Sequence, residues 1–89
     1  MNVVFTRSAL KQLKKIDITN QKKIKQFILD IQELNDPRTK GKALKGKLSN
    51  YWRYRVGDYR LICDINDSEI IITVVRIGHR KDIYTRIEV

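Results

Sequence analysis

"YWRYRVGDYRLICDI", residues Tyr51–Ile65, alternates with a period of two on either side of Gly57-Asp58. Successive side chains of an extended strand point to opposite faces. Trp52, Tyr54 and Val56 therefore share one face, and Tyr51, Arg53 and Arg55 share the other. Beyond the glycine, Tyr59, Leu61, Cys63 and Ile65 alternate with Arg60, Ile62 and Asp64 in the same way. A Gly-Asp pair between two such runs predicts a hairpin. One face of this hairpin is apolar, and the other carries guanidinium groups.

Downstream, "NDSE" at Asn66–Glu69 turns the chain again. "IIITVVRI" at Ile70–Ile77 is the most hydrophobic run and is expected to be a central strand. Upstream, Arg38–Asn50 holds Gly41 and Gly46 among many lysines and reads as an irregular connection. Before it, Ile24, Phe27, Ile28, Ile31 and Leu34 recur at helical spacing, and Asn35-Asp36-Pro37 stops that helix. Asp17–Asn20 is a turn with a new N-cap. A shorter helix ahead of it starts from Thr6 and puts Ala9, Leu10, Leu13 and Ile16 on one face. "NVVF" at Asn2–Phe5 is an edge strand. The order β-α-α-β-β-β predicts an α+β fold, a helical hairpin packed on a small, mainly antiparallel sheet. At 89 residues, 1–89 is expected to form a single domain.

The longest apolar run falls well short of the roughly 18 residues of a membrane helix. The N-terminus, MNVVFTRSALK, lacks the pattern of a secretory leader. A single cysteine, Cys63, excludes an internal disulfide framework and fits a reducing cytoplasm. Nineteen Lys+Arg against ten Asp+Glu give a net charge of +9, which speaks to partners rather than to fold. From Arg38 to Arg60, Arg38, Lys40, Lys42, Lys45, Lys47, Arg53, Arg55 and Arg60 face one acid, Asp58. A membrane-surface reading needs a basic amphipathic helix, and this segment has no helical pattern, so nucleic acid is the favoured partner.

Arg53 and Arg55 project from the face opposite the Trp52/Tyr54/Val56 row, since burying an unpaired guanidinium is costly. Arg60 follows just across the turn, and Arg80 ends the last strand. A meander allows these four to converge, and such a cluster is best tolerated around an anion, typically phosphate. A solvated charged face looks the same in composition, so both readings stand at this level. Trp52, Tyr54 and Tyr59 are expected in or near the core, and Cys63 as a small buried hydrophobe. His79 has no second histidine or cysteine pair near it, and Asp64 and Asp67 lack identifiable partner ligands. No metal and no cofactor are expected.

"ALKGKLSNYWRYRVGDYRLICDI" (43–65) followed by "VVRIGHRKDIY" (74–84) resembles the RelE-like toxins of the RelE/ParE toxin–antitoxin superfamily. The pieces Leu-Lys-Gly, Tyr-Arg-Leu and Gly-His-Arg…Tyr occur in order, and the likeness covers nearly the whole chain. The resemblance implies a ribosome-dependent mRNA endonuclease that cuts the A-site codon without metal, by attack of a ribose 2′-OH on the adjacent phosphate. It implies that Arg60 and Arg80 stabilise that phosphate and that Tyr84 takes or orients the 2′-OH proton. Arg53 and Arg55 stand where the family has a lysine pair. Lys45 falls at a basic RNA-contacting position, and Lys47 and His79 are expected to touch RNA. His79 is also a candidate donor to the leaving 5′ oxygen. The implied partners are the ribosome, its mRNA and a RelB-like acidic antitoxin that restrains the toxin in a heteromeric complex. Two departures affect Tyr84: arginines replace the lysine pair, and the Arg80–Tyr84 spacing is shorter than in the best-known member. A ParE-like inhibitor of DNA gyrase and a non-catalytic RNA-binding member of the fold are the alternatives.

Overall fold

The computed structural model describes residues 1–83. The elements run β1 (Asn2–Phe5), α1 (Arg7–Lys14), α2 (Ile18–Glu33), β2 (Lys42–Ala43), β3 (Trp52–Val56), β4 (Tyr59–Asn66) and β5 (Ile71–His79). Short 3-10 turns at Pro37–Thr39 and Gly46–Leu48 flank β2. Two helices thus pack on a five-stranded mixed sheet in the expected α+β arrangement.

Both helices begin where capping chemistry allows. The Thr6 hydroxyl accepts the Ala9 amide at 3.1 Å, and the Asp17 carboxylate accepts the Asn20 amide at 3.1 Å. Each satisfies an amide that a first helical turn leaves without a partner. The Asn20 side chain and amide also hold the Asp17 carboxyl below its ordinary range. α2 ends at Glu33, two residues short of the Asn35-Asp36-Pro37 stop, and Pro37 is buried as the first residue of the 3-10 turn that follows.

The sheet order is β1-β5-β4-β3-β2. β1 lies parallel to β5, Asn2 opposite Ile71 and Phe5 opposite Val74, and every other pairing is antiparallel. The helices cover one face. Ala9, Leu13, Ile24, Ile28 and Ile31 meet Tyr54, Val56, Leu61, Cys63, Ile72, Val74 and Ile77 there. A fully buried isoleucine such as Ile24 or Ile72 contributes about 1.5–3 kcal/mol through its apolar burial. Cys63 is buried as expected, and that burial pushes its thiol pKa upward.

Four local expectations change. β5 is interior but not central, because the two hairpins leave β4 between β3 and β5 while β1 adds to the outer side of β5. β5 also starts one residue late: Ile70 takes a φ of 57°, a turn conformation, and is exposed. The lysine-rich connection contains β2, which pairs Lys42 with Arg53 and Ala43 with Trp52. Leu10 is 40% exposed, since the narrow contact of α1 is filled by Ala9 and Leu13.

β1 stops opposite Val74, and α1 serves the edge of β5 beyond that point. Gln12 Oε1 accepts the Ile77 amide at 2.7 Å, and the Thr6 hydroxyl donates to the Val75 carbonyl at 3.4 Å. No helix among the described residues is long and apolar enough to cross a membrane.

Candidate active site

The sheet face away from the helices carries the guanidinium groups. On β3, buried Tyr54 and Val56 point into the core, so Arg53 and Arg55 point the other way. The β3–β4 register sets Arg55 opposite Arg60 and Arg53 opposite Ile62. On the next strand Arg60 pairs with Gly78 and Ile62 with Arg76. A Cβ at Gly78 would lie 2.9 Å from Ile83 Cδ1, the tip of a side chain that packs over the glycine. Ile83 is buried there, so the chain folds back close to Arg60 just after β5.

Two bonds place Arg80. Its amide donates to the Asp58 carbonyl at 2.7 Å, tying the end of β5 to the β3–β4 turn. Its Nε lies 3.6 Å from Asp58 Oδ1, an exposed ion pair. The result is a cavity of about 350 Å³ lined by Arg53, Arg55, Arg60, Arg80 and Lys81. The four arginines singled out in the sequence are therefore brought together, and Lys81 joins them. Its neighbour in the chain, Arg80, was the only sequence signal for that lysine.

Arg60 differs from the others because it is 8% exposed. Its Nη1 donates to the carbonyls of Gly57 and Tyr59, both at 2.9 Å. Hydrogen-bonding to backbone makes a buried cation tolerable and fixes its direction. A guanidinium held this way does not have to reorganise when negative charge develops beside it, which is the condition for electrostatic catalysis.

His79, Lys45 and Lys47 do not line this arginine cavity. His79 pairs with Tyr59, its ring edge-on to the tyrosine ring with centroids 5.7 Å apart. It lines a separate cavity with Gln12, Lys15 and Asp82, and its Nδ1 accepts the Lys81 amide at 3.2 Å. Lys45 and Lys47 are exposed beside the second 3-10 turn and do not line the arginine cavity. Tyr84 lies outside the described residues. Asp67, considered as a metal ligand, is engaged by Arg38 in a two-pronged ion pair at 2.8 and 3.0 Å, which holds its carboxyl below the ordinary range. Among the described residues, no three of His, Cys, Asp and Glu gather as a metal site would require.

A second cavity, of about 260 Å³, is also lined by Arg53 and Arg55. Phe27, Lys40, Gly41, Lys42 and Tyr54 complete its lining. Sequence periodicity assigned Phe27 and Tyr54 to the core and gave no sign that they also floor a cavity.

The sequence model of a family described as the ParE toxin of the type II toxin–antitoxin system parDE matches residues 3–84. Toxin RelE3 of Methanocaldococcus jannaschii is 39% identical over 87 residues, covering 94% of this chain and 96% of that protein. The chain belongs to the RelE/ParE family of type II toxins. Toxin RelG of Mycobacterium tuberculosis is 32% identical over 85 residues, covering 94% of this RelE-like toxin and 95% of RelG. Among solved structures, the RelBE2 toxin–antitoxin complex of M. tuberculosis superposes with a TM-score of 0.80 at 29% identity, covering 89% of this chain and 96% of that one. The RelB–RelE antitoxin–toxin complex of Methanococcus jannaschii gives 0.73 at 32% identity, covering 96% and 99%.

Proposed function

We propose that this RelE-like toxin, acting as one domain over its 89 residues, is an mRNA interferase that cuts ribosome-bound mRNA at the A-site codon. The observation that carries the reading is the single cavity ringed by Arg53, Arg55, Arg60 and Arg80. A relative named mRNA interferase toxin RelE, from Escherichia coli, is 27% identical over 78 residues and supports the same class of activity.

The chemistry follows from the charge. The ribose 2′ oxygen bonds to the adjacent phosphorus and the bond to the 5′ oxygen breaks, leaving a 2′,3′-cyclic phosphate and a 5′-OH. The pentacovalent intermediate carries extra negative charge, which Arg60 and Arg80 stabilise while Arg53 and Arg55 hold the flanking backbone. Tyr84 takes the 2′-OH proton. A phenol has a pKa of about 10, and cations brought close to a phenol favour its phenolate. His79 lies outside this cavity, so the proton for the departing 5′ oxygen comes from an arginine or from water. No metal enters the scheme. A handful of cations is a weak free-standing nuclease. The ribosome supplies orientation of the strand, while Lys45, Lys47 and the wider basic surface hold RNA phosphates in a salt-dependent way.

The partner that restrains it is an acidic RelB-like antitoxin, in line with the RelB-bound relatives. It acts in the cytoplasm, where its ribosomal target resides. The test is to map cut sites on translated mRNA with and without ribosomes. Cuts within codons that require ribosomes are expected, and uncut transcripts during growth arrest would overturn the reading.

One observation favours a second reading: the matching family model carries the ParE description. A gyrase inhibitor would leave transcripts intact and induce a DNA-damage response.

A further inference from the structure

The cavity beside the arginines has a chemistry that phosphate alone does not use. Its floor offers one accessible aromatic ring, Phe27, which meets the buried Tyr54 ring edge to face with centroids 5.4 Å apart. Tyr54 is completely buried, and its hydroxyl donates to the Pro37 carbonyl at 2.7 Å, so it stays in place. Phe27 is only half-buried. Lys40 Nζ stands 5.9 Å from the Phe27 centroid, over the ring, so that aromatic face looks into the cavity rather than into the core.

The far wall is backbone. Gly41 has a φ of 79°, and a Cβ there would collide with the Arg53 carbonyl and lie 2.7 Å from Trp52 Nε1. The strand it leads into pairs only with Trp52 and Arg53, which leaves the edge of β3 beyond Arg53 outside that pairing. The rim is cationic, formed by Lys40, Lys42, Arg53 and Arg55.

We propose that this cavity takes one nucleobase of the bound RNA, stacked on Phe27, with the neighbouring backbone phosphate held by the cationic rim. The inference deepens the RNA-cleavage reading and rests on it. The rim decides the occupant. Lys40, Lys42, Arg53 and Arg55 line this cavity around the Phe27 ring, so a strand whose phosphates they hold has a base within reach of that ring. A base has two π faces and no charge, and stacking on an aromatic ring is tolerant of its identity. The flexible Lys40 ammonium gives up its place over the ring and turns to the phosphate, exchanging one favourable contact for another. An acidic peptide would engage the cationic rim and leave the aromatic floor unused.

The test measures binding without cleavage. A 2′-O-methyl RNA hexanucleotide and a set of the same strand, each with one abasic ribose, are titrated against the full chain by fluorescence anisotropy at fixed salt. One abasic position is expected to weaken binding by roughly tenfold. Phe27→Leu keeps apolar bulk without the aromatic face and should abolish that difference, while inorganic phosphate competes equally against parent and variant. Lys40→Trp, at an exposed site, lays an indole over Phe27 and should abolish the difference without touching the core. Equal binding of all the strands, or a full abasic penalty surviving in both variants, overturns the proposal. Base discrimination without cutting of translated mRNA would remove only the nuclease reading, and cutting without discrimination would remove only this one.

Discussion

Arg55 and Arg60 stand directly opposite each other on β3 and β4. Like charges in that relation destabilise a sheet. Arg60 is also buried, so water screens the pair less than it would on an open surface. Its two hydrogen bonds to the turn carbonyls offset part of the conflict. A surface selected for stability alone has no reason to keep this arrangement, whereas one built around an anion does.

The first prediction follows from that conflict. Arg55→Glu replaces repulsion by attraction across the strands and should raise stability by about 0.2–1 kcal/mol, read as a higher urea midpoint. The same change places negative charge beside the phosphate and should lower mRNA cleavage on the order of a hundredfold or more. A variant both less stable and fully active would contradict the geometry and the reading together.

Arg60 and Arg80 should separate by stability but not by activity. Arg60→Ala removes one donor from the carbonyls of Gly57 and Tyr59 and should cost on the order of 1 kcal/mol. Arg80→Ala loses only an exposed ion pair, worth no more than about 1 kcal/mol. Both substitutions, and Tyr84→Phe with them, should relieve growth arrest on induced expression. Thermal melts beside growth curves distinguish a folded, silent protein from an unfolded one.

Gly78→Ala tests the fold-back after β5. The added methyl meets Ile83 Cδ1 at 2.9 Å; the tip of that side chain must turn aside, so the loss should lie near or below the low end of the roughly 1–3 kcal/mol of overpacking. Ile83→Val removes the colliding atom, so the double variant should recover most of the loss. Simple addition of the two single effects in a double-mutant cycle would show that the contact is not the cause.

Much of this was legible in the sequence because it depends on period and punctuation. The alternation around Gly57-Asp58 fixed which side of β3 and β4 faces the core, and with it the convergence of Arg53, Arg55 and Arg60. Thr6 and Asp17 announced both helix starts. Other features depend on register and on side-chain reach, which no local pattern carries. The pairing of two residues of β2 follows from where Gly41 allows the backbone to press against Trp52 and Tyr54. His79 is adjacent in sequence to Arg80, yet its pairing with Tyr59 turns it away from the arginines. The aromatic floor was hidden because a residue can pack on the core with one edge and line a cavity with a face.

Acid should reveal the Arg38–Asp67 pair. The ion pair depresses the folded-state pKa of Asp67, so its stabilising effect is present above the unfolded value and is lost as pH falls through the folded one. Asp67→Asn should therefore flatten the decline in stability below about pH 4, the ordinary aspartate range. The pair is exposed, so the difference is small and shrinks with added salt. Identical profiles for parent and variant would show the pair to be inert.

The parallel pairing of Asn2–Phe5 with Ile71–Val74 makes nascent synthesis a waiting game. The strand made first gains its neighbour only after the hairpins that precede β5 have left the ribosome, and closing so long a loop slows folding. Arg80 comes later still, so the arginine cluster is completed only after β5 has been made.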